Sequence, residues 1–216
     1  MRLSDYKDKL DIEIVRDGEF ETLGNCTDEL NKTFISFLGK AKFIDKINPN
    51  VTCIITTEEI ASQIPERIQG VAVAKEPKLE YVRLHNLLAK DEAYVGKSFK
   101  TVIGKGCEIS PLASIAENNV IIGNNVKIGP FTVVNERVTI KDNVTIREHC
   151  VISGKTFNYG VASDGGLFAM EDCGQVVIEE DVDICAFSYV DSCPLPRETT
   201  RVFKGAKLGV DIHVGH

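Results

Sequence analysis

Aliphatic residues recur every six positions through the second half of the chain. The series runs Ile103, Ile109, Ile115. After one extra residue it resumes at Ile122, Ile128, Val134, Ile140, Ile146 and Ile152, then returns at Ile178, Ile184, Val190, Val202, Leu208 and Val214. Two residues earlier sits a small or β-branched residue, as at Cys107, Ala113, Val120, Val126, Thr132, Val138, Val144 and Cys150. Side chains two apart on a strand share a face, so each such step points two apolar groups inward. Between steps lie Asn-Asn, Gly-Lys-Gly or Lys-Asp-Asn, which bend the chain and tolerate positive φ. Three short strands joined by such bends make a triangular coil. Stacked coils pair each other's backbone groups and bury an aliphatic column. A β-sandwich would instead scatter its strands at spacings of about 8–12 residues. The fixed period predicts a mainly β fold, a left-handed parallel β-helix of hexapeptide repeats over residues 99–216.

Two segments break the rhythm. Residues 157–177 carry four glycines and no hexad, and residues 191–201 carry Pro194 and Pro196, so both read as loops. Counting hexads in threes, both loops leave the prism after the same face, and the Val214 hexad belongs to that face. Loops on a rigid scaffold carry function, so this corner, with His216 beside it, is the place to search first.

Residues 1–98 lack the hexad. The stretches FETLGN, FISFLGK, TCIITTEE and GVAVAK read as short strands, and AKFIDKI and EPKLEYVRLHNLLAKD as helices. Pro77 suits a first helical turn, and Leu79, Val82 and Leu87 fall roughly on one face. This half predicts a small α/β domain preceding the β-helix.

Trp is absent and aromatics make up 7% of the chain, so the core is aliphatic, as stacked short strands require. The formal net charge is −7 with no Lys/Arg run, which argues against nucleic-acid binding. No apolar stretch approaches the ~20 residues of a membrane span, and Met1–Leu10 lacks the apolar core of a signal peptide. The expected location is the cytoplasm. The seven cysteines form no C-x-x-C pair and read as small core residues rather than a disulfide framework or a metal site.

Element order and three stretches, DELNKTFISFLGKAKFIDKI, AKEPKLEYVRLHNLL and KLGVDIHVGH, make the chain similar to the UDP-3-O-acylglucosamine N-acyltransferase family of lipid A biosynthesis. The resemblance implies transfer of an acyl chain from acyl carrier protein to the 2-amino group of a UDP-glucosamine derivative, without a further cofactor, by a homotrimer. It implies that His216 is the catalytic base. It implies a uracil-stacking aromatic pair at Phe37 and Phe43, with Phe43 where the family has Tyr and Lys40 where it has Asn. Asp191 begins the stretch corresponding to the family's Asp-Arg-Gly, here Asp191-Ser192-Cys193. The family continues beyond the position of His216 with more coils and a helical extension.

Histidine suits the base role because its reference pKa of ~6.5 lies near working pH. His213 faces either solvent or the site, His149 reads as a surface turn residue, and His85 as a packing residue. Three alternatives use the same fold. One is an N-acetyltransferase acting on a nucleotide amino-sugar with acetyl-CoA, and another is a non-catalytic scaffold. The third, a zinc-dependent carbonic anhydrase, lacks an upstream ligand to match His213 and His216.

Overall fold

A computed structural model describes residues 1–216. The chain forms two compact units, one of residues 1–94 with 158–171, the other of residues 95–157 with 172–216.

The first unit is built on a five-stranded sheet. Its strands are β1 (Glu13–Arg16), β2 (Thr22–Leu23), β3 (Phe34–Leu38), β4 (Val51–Thr56) and β5 (Gly70–Val73), in the order β1-β5-β4-β3-β2. Strands β2 to β5 are parallel and β1 runs antiparallel on β5. Parallel strands need crossovers. One holds the 3-10 helix Ala41–Lys46, where AKFIDKI predicts a helix, and the next holds α1 (Glu58–Ala61). Phe34, Leu38, Ile54, Ile60, Ile68 and Val71 cluster on one side of the sheet. On the other lies α2 (Pro77–Leu88), with Pro77 in its first turn. Its buried residues include Glu80, Tyr81, Val82, Leu84, His85 and Leu88, so Val82 faces inward as expected, while Leu87 is exposed. The sequence pattern over-weighted Leu87 because it could not see that a histidine, satisfied by hydrogen bonds, shares the inner face. A short α3 (Glu92–Val95) follows.

The second unit is the left-handed β-helix. One sheet stacks β6 (Val102–Ile103), β9 (Val120–Ile122), β12 (Val138–Ile140), β17 (Gln175–Ile178) and β20 (Thr199–Val202). A second stacks β7 (Glu108–Ile109), β10 (Lys127–Ile128), β13 (Thr145–Ile146), β18 (Asp183–Ile184) and β21 (Lys207–Leu208). The third stacks β8 (Ser114–Ile115), β11 (Val133–Val134), β14 (Val151–Gly154), β19 (Tyr189–Asp191) and β22 (His213–Val214). Every pairing within these sheets is parallel, and repeat residues meet in register, as Ile122, Ile140 and Ile178 do. The inward residues form one continuous core column. Backbone bonds run from coil to coil, as Lys127 N–H to the Val144 carbonyl at 2.8 Å.

The corners explain the hexad. Asn119, Asn125, Phe131, Arg137, Asn143 and His149, six residues apart, all have φ between 54° and 62°. Each of these corners turns on a left-handed residue. Asn and Asp adopt this conformation most readily among non-glycine residues, and stacked asparagines bond one another across coils, as Asn125 Nδ2 does to Asn143 Oδ1 at 3.3 Å.

The two interruptions are ordered. Within 157–177, β15 (Tyr159–Val161) and β16 (Leu167–Ala169) form an antiparallel hairpin around Asp164-Gly165-Gly166, with Gly165 at φ +85°. A hairpin replaces the expected loop because alternation over three residues is too short to read from sequence. Residues 158–171 belong to the first unit rather than to the β-helix. The hairpin is fastened to α2. Ser163 donates its N–H and hydroxyl to the Glu76 carboxylate at 2.9 and 2.8 Å. Asn86 Nδ2 donates to the Ala169 carbonyl at 2.9 Å, and its oxygen accepts the Glu171 N–H at 2.9 Å. His85, 0% exposed, bonds the Tyr94 hydroxyl at 3.0 Å and the Glu171 carbonyl at 2.8 Å. The second interruption folds tightly, with Cys193 and Leu195 buried. No helix is long and apolar enough to cross a membrane.

Candidate active site

The two interruptions leave the β-helix from the sheet that holds β14, β19 and β22. Val151, Tyr189 and His213 are register partners on successive coils, as are Ile152, Val190 and Val214. Alternation along a strand fixes which side chains face out. With Val190 and Val214 in the core column, Tyr189, Asp191 and His213 project from the prism.

These three, with Lys155, Phe157, Gly215 and His216, line a cleft of about 590 Å³. At its centre His213 Nε2 lies 3.0 Å from Asp191 Oδ2. The carboxylate is 8% exposed and the imidazole 66% exposed, so the acid is sheltered while the ring faces the cleft. Buried carboxylates need partners, and this imidazole is one. The Tyr189 ring meets His213 edge-on. Burial, then the Asp191 and Asp172 carboxylates, raise the Tyr189 hydroxyl above the usual phenol range, so it acts as a neutral donor. Across the stem of the first excursion, Thr156 gives its N–H and hydroxyl to the Asp172 carboxylate at 2.8 and 2.7 Å. No three His, Cys, Asp or Glu side chains converge as a metal-binding set.

Asp191 and His216 share this cleft. His216 is exposed at its lip, and His213 is the histidine that holds the carboxylate. Strand alternation alone puts the residues before Val190 and Val214 on the outer face, one above the other, and this is the signal by which Tyr189 and His213 were findable. Phe37, Lys40 and Phe43 lie in the first unit. Phe37 packs on Tyr81 of α2 with ring centroids 5.1 Å apart. Phe43 rests on the margin of the core across the sheet, with the Lys42 ammonium 5.1 Å from its centroid. Its N–H bonds the carbonyl of exposed Lys40 at 3.3 Å.

Residues 119–154 match the family model of the bacterial transferase hexapeptide (six repeats). The matched stretch spans strands β9 to β14, where the coils are most regular. The chain thus carries the hexapeptide-transferase repeat. No curated protein sequence matches the chain.

Proposed function

We propose that the protein is an N-acyltransferase that moves an acyl chain from acyl carrier protein to the 2-amino group of a UDP-glucosamine derivative. The observation that carries this reading is the Asp191–His213 pair facing a cleft on a hexapeptide-transferase β-helix. The neutral amine attacks the thioester carbonyl, forming the C–N bond, while the imidazole takes the proton that nitrogen must shed. Asp191 stabilises the imidazolium so formed. The tetrahedral oxyanion collapses, the C–S bond breaks, and the departing thiolate recovers the proton from the imidazolium.

The base is assigned to His213 because it has a sheltered carboxylate to orient it. His216, to which the family resemblance points, is the competing assignment on the same cleft. For the nucleotide, Phe43 offers a partly exposed ring beside Lys40 and Lys42, and stacking there would contribute about 1–3 kcal/mol. A homotrimer is part of the same reading. Its support is an apolar stripe down one corner of the prism, where Phe131, His149 and Phe187 stack with centroids 5.0 and 4.9 Å apart and stay exposed.

The test is thiol release by the purified protein, with UDP-amino-sugars as acceptors and either acyl carrier protein thioesters or acetyl-CoA as donor. His213→Ala is expected to slow turnover about 10²–10⁴-fold, and His216→Ala less than about tenfold. The reverse order moves the base to His216. Turnover from acetyl-CoA alone replaces the acyl donor. Turnover from neither donor would favour a scaffold.

A further inference from the structure

Tyr189 stands opposite His213 in the parallel pairing of β19 and β22. Its ring meets the imidazole edge-on, with centroids 5.8 Å apart and planes at 84°. Two contacts keep the tyrosine there. Its hydroxyl donates to the Lys155 carbonyl at 3.2 Å. Its ring also covers the bare α-carbon of Gly154, where a β-carbon would stand 2.1 Å from Cζ and 2.2 Å from Cε1 and the hydroxyl oxygen. Only hydrogen fits in that space.

Gly154 reaches this place through an irregularity in the ladder. Pairing of β14 with β19 skips Ser153, so that Gly154 sits beside Asp191. Ser153 takes φ 61° and ties its hydroxyl to the Glu136 carbonyl at 3.1 Å. Such bulges re-aim neighbouring side chains.

An imidazole 66% exposed with one carboxylate partner would ordinarily sample several rotamers, because one hydrogen bond contributes little more than the rotamer entropy it costs. A wall against one side of the ring removes that freedom. We infer that Gly154 and Tyr189 are positioning residues for His213: the glycine admits the tyrosine ring, and the ring confines the imidazole to the orientation in which Nε2 meets Asp191. Only the catalytic consequence rests on the acyltransferase reading.

The experiment follows the imidazole directly. Protein labelled with ¹⁵N-histidine is examined by long-range ¹H–¹⁵N NMR at about pH 8, where an ordinary histidine is neutral, and the His213 signals are assigned with His213→Gln. The tautomer protonated on Nε2 is expected to dominate at least about tenfold in the native protein and in Tyr189→Phe, which keeps the ring. The ratio is expected to fall towards that of free histidine in Tyr189→Ala and in Gly154→Ala. The double variant should match Tyr189→Ala alone, because the added β-carbon then meets no ring. Should Gly154→Ala fail to fold by circular dichroism, Tyr189→Leu supplies the same comparison. An unchanged ratio in the folded tyrosine and glycine variants, with Asp191→Asn shifting it, would overturn the inference. A ratio that falls as expected while thiol release holds steady would leave the positioning intact and remove His213 as base.

Discussion

Ile140 and Ile103 occupy equivalent places in the six-residue series, yet the structure separates them sharply. Ile140 is 0% exposed, and its register partners above and below are Ile122 and Ile178. Replacing it with alanine removes three buried carbons, about 2.4 kcal/mol at ~0.8 kcal/mol each. The vacancy has little means of closing. The neighbouring strands are tied to this one by bonds from Gly123 N–H to the Ile140 carbonyl at 2.8 Å and from Lys141 N–H to the Ile178 carbonyl at 2.9 Å. The cavity contribution therefore stays large, and the total loss is expected at about 4 kcal/mol, in the upper part of the range for such truncations. Ile103, in the first strand of the stack, is 49% exposed. Its truncation is expected to cost about 1 kcal/mol or less, since half of its surface is already in water. Urea unfolding followed by far-ultraviolet circular dichroism measures both, with the midpoint shift read at constant slope. Equal losses at the two positions would refute the inward column as the source of stability.

Gly174→Ala is expected to cost about 1–3 kcal/mol by overpacking, because a β-carbon there would lie 2.4 Å from Cys193 Cβ and 2.8 Å from the Cys193 carbonyl oxygen; a thermal melt within a degree of the parent would contradict this. Phe187→Glu puts a charge into the stacked corner, where Phe187 is 57% exposed; light scattering at micromolar concentration is expected to show a trimer for the parent and a monomer for the variant, and a monomeric parent would remove the trimer. The Lys204 N–H and then the Arg201 guanidinium hold the Glu179 carboxyl below its ordinary value. A carboxyl depressed in the folded state contributes stability above its unfolded pKa and loses it as pH falls through the folded one. Glu179→Gln should therefore lower the melting temperature near neutrality and converge with the parent in acid; a gap that stays constant across that range would exclude the linkage.

The β-helix was legible because its signal is local and redundant. Each hexad repeats the same inward pair and the same left-handed corner, so Ile122 through Ile152 could be placed from spacing alone. The shared face of the two excursions followed from counting, and the Val190–Val214 register agrees. Contacts between distant segments carried no such signal. Nothing in Glu76 or Ser163 announces their bond across 87 residues, so the hairpin read as a loop and its grouping with the first unit went unseen. The cleft lay between these extremes. The roles of His216 and Asp191 came from a resemblance in short motifs, whereas the contact of Asp191 with His213 depends on a side chain reaching diagonally to the next coil. Phe37 and Phe43 came from the same resemblance, and in the structure Phe37 packs on Tyr81 while Phe43 borders the core cluster of the first unit.

The hairpin's attachment to α2 sets an order of events during synthesis. His85 is sealed from water, and one of its hydrogen-bond partners is the Glu171 carbonyl, 86 residues downstream. At about 5–20 residues per second, roughly 4–17 s separate the emergence of the histidine from that of its acceptor. Until then Asn86 and Glu76 also wait for their partners on the hairpin, while most of the aliphatic column has already left the ribosome. A nascent chain arrested before residue 158 would thus present a first unit whose second helix is uncovered, open to chaperones and proteases. The part made first is the part completed late, and maturation of the amino-terminal half is timed by elongation through the coils.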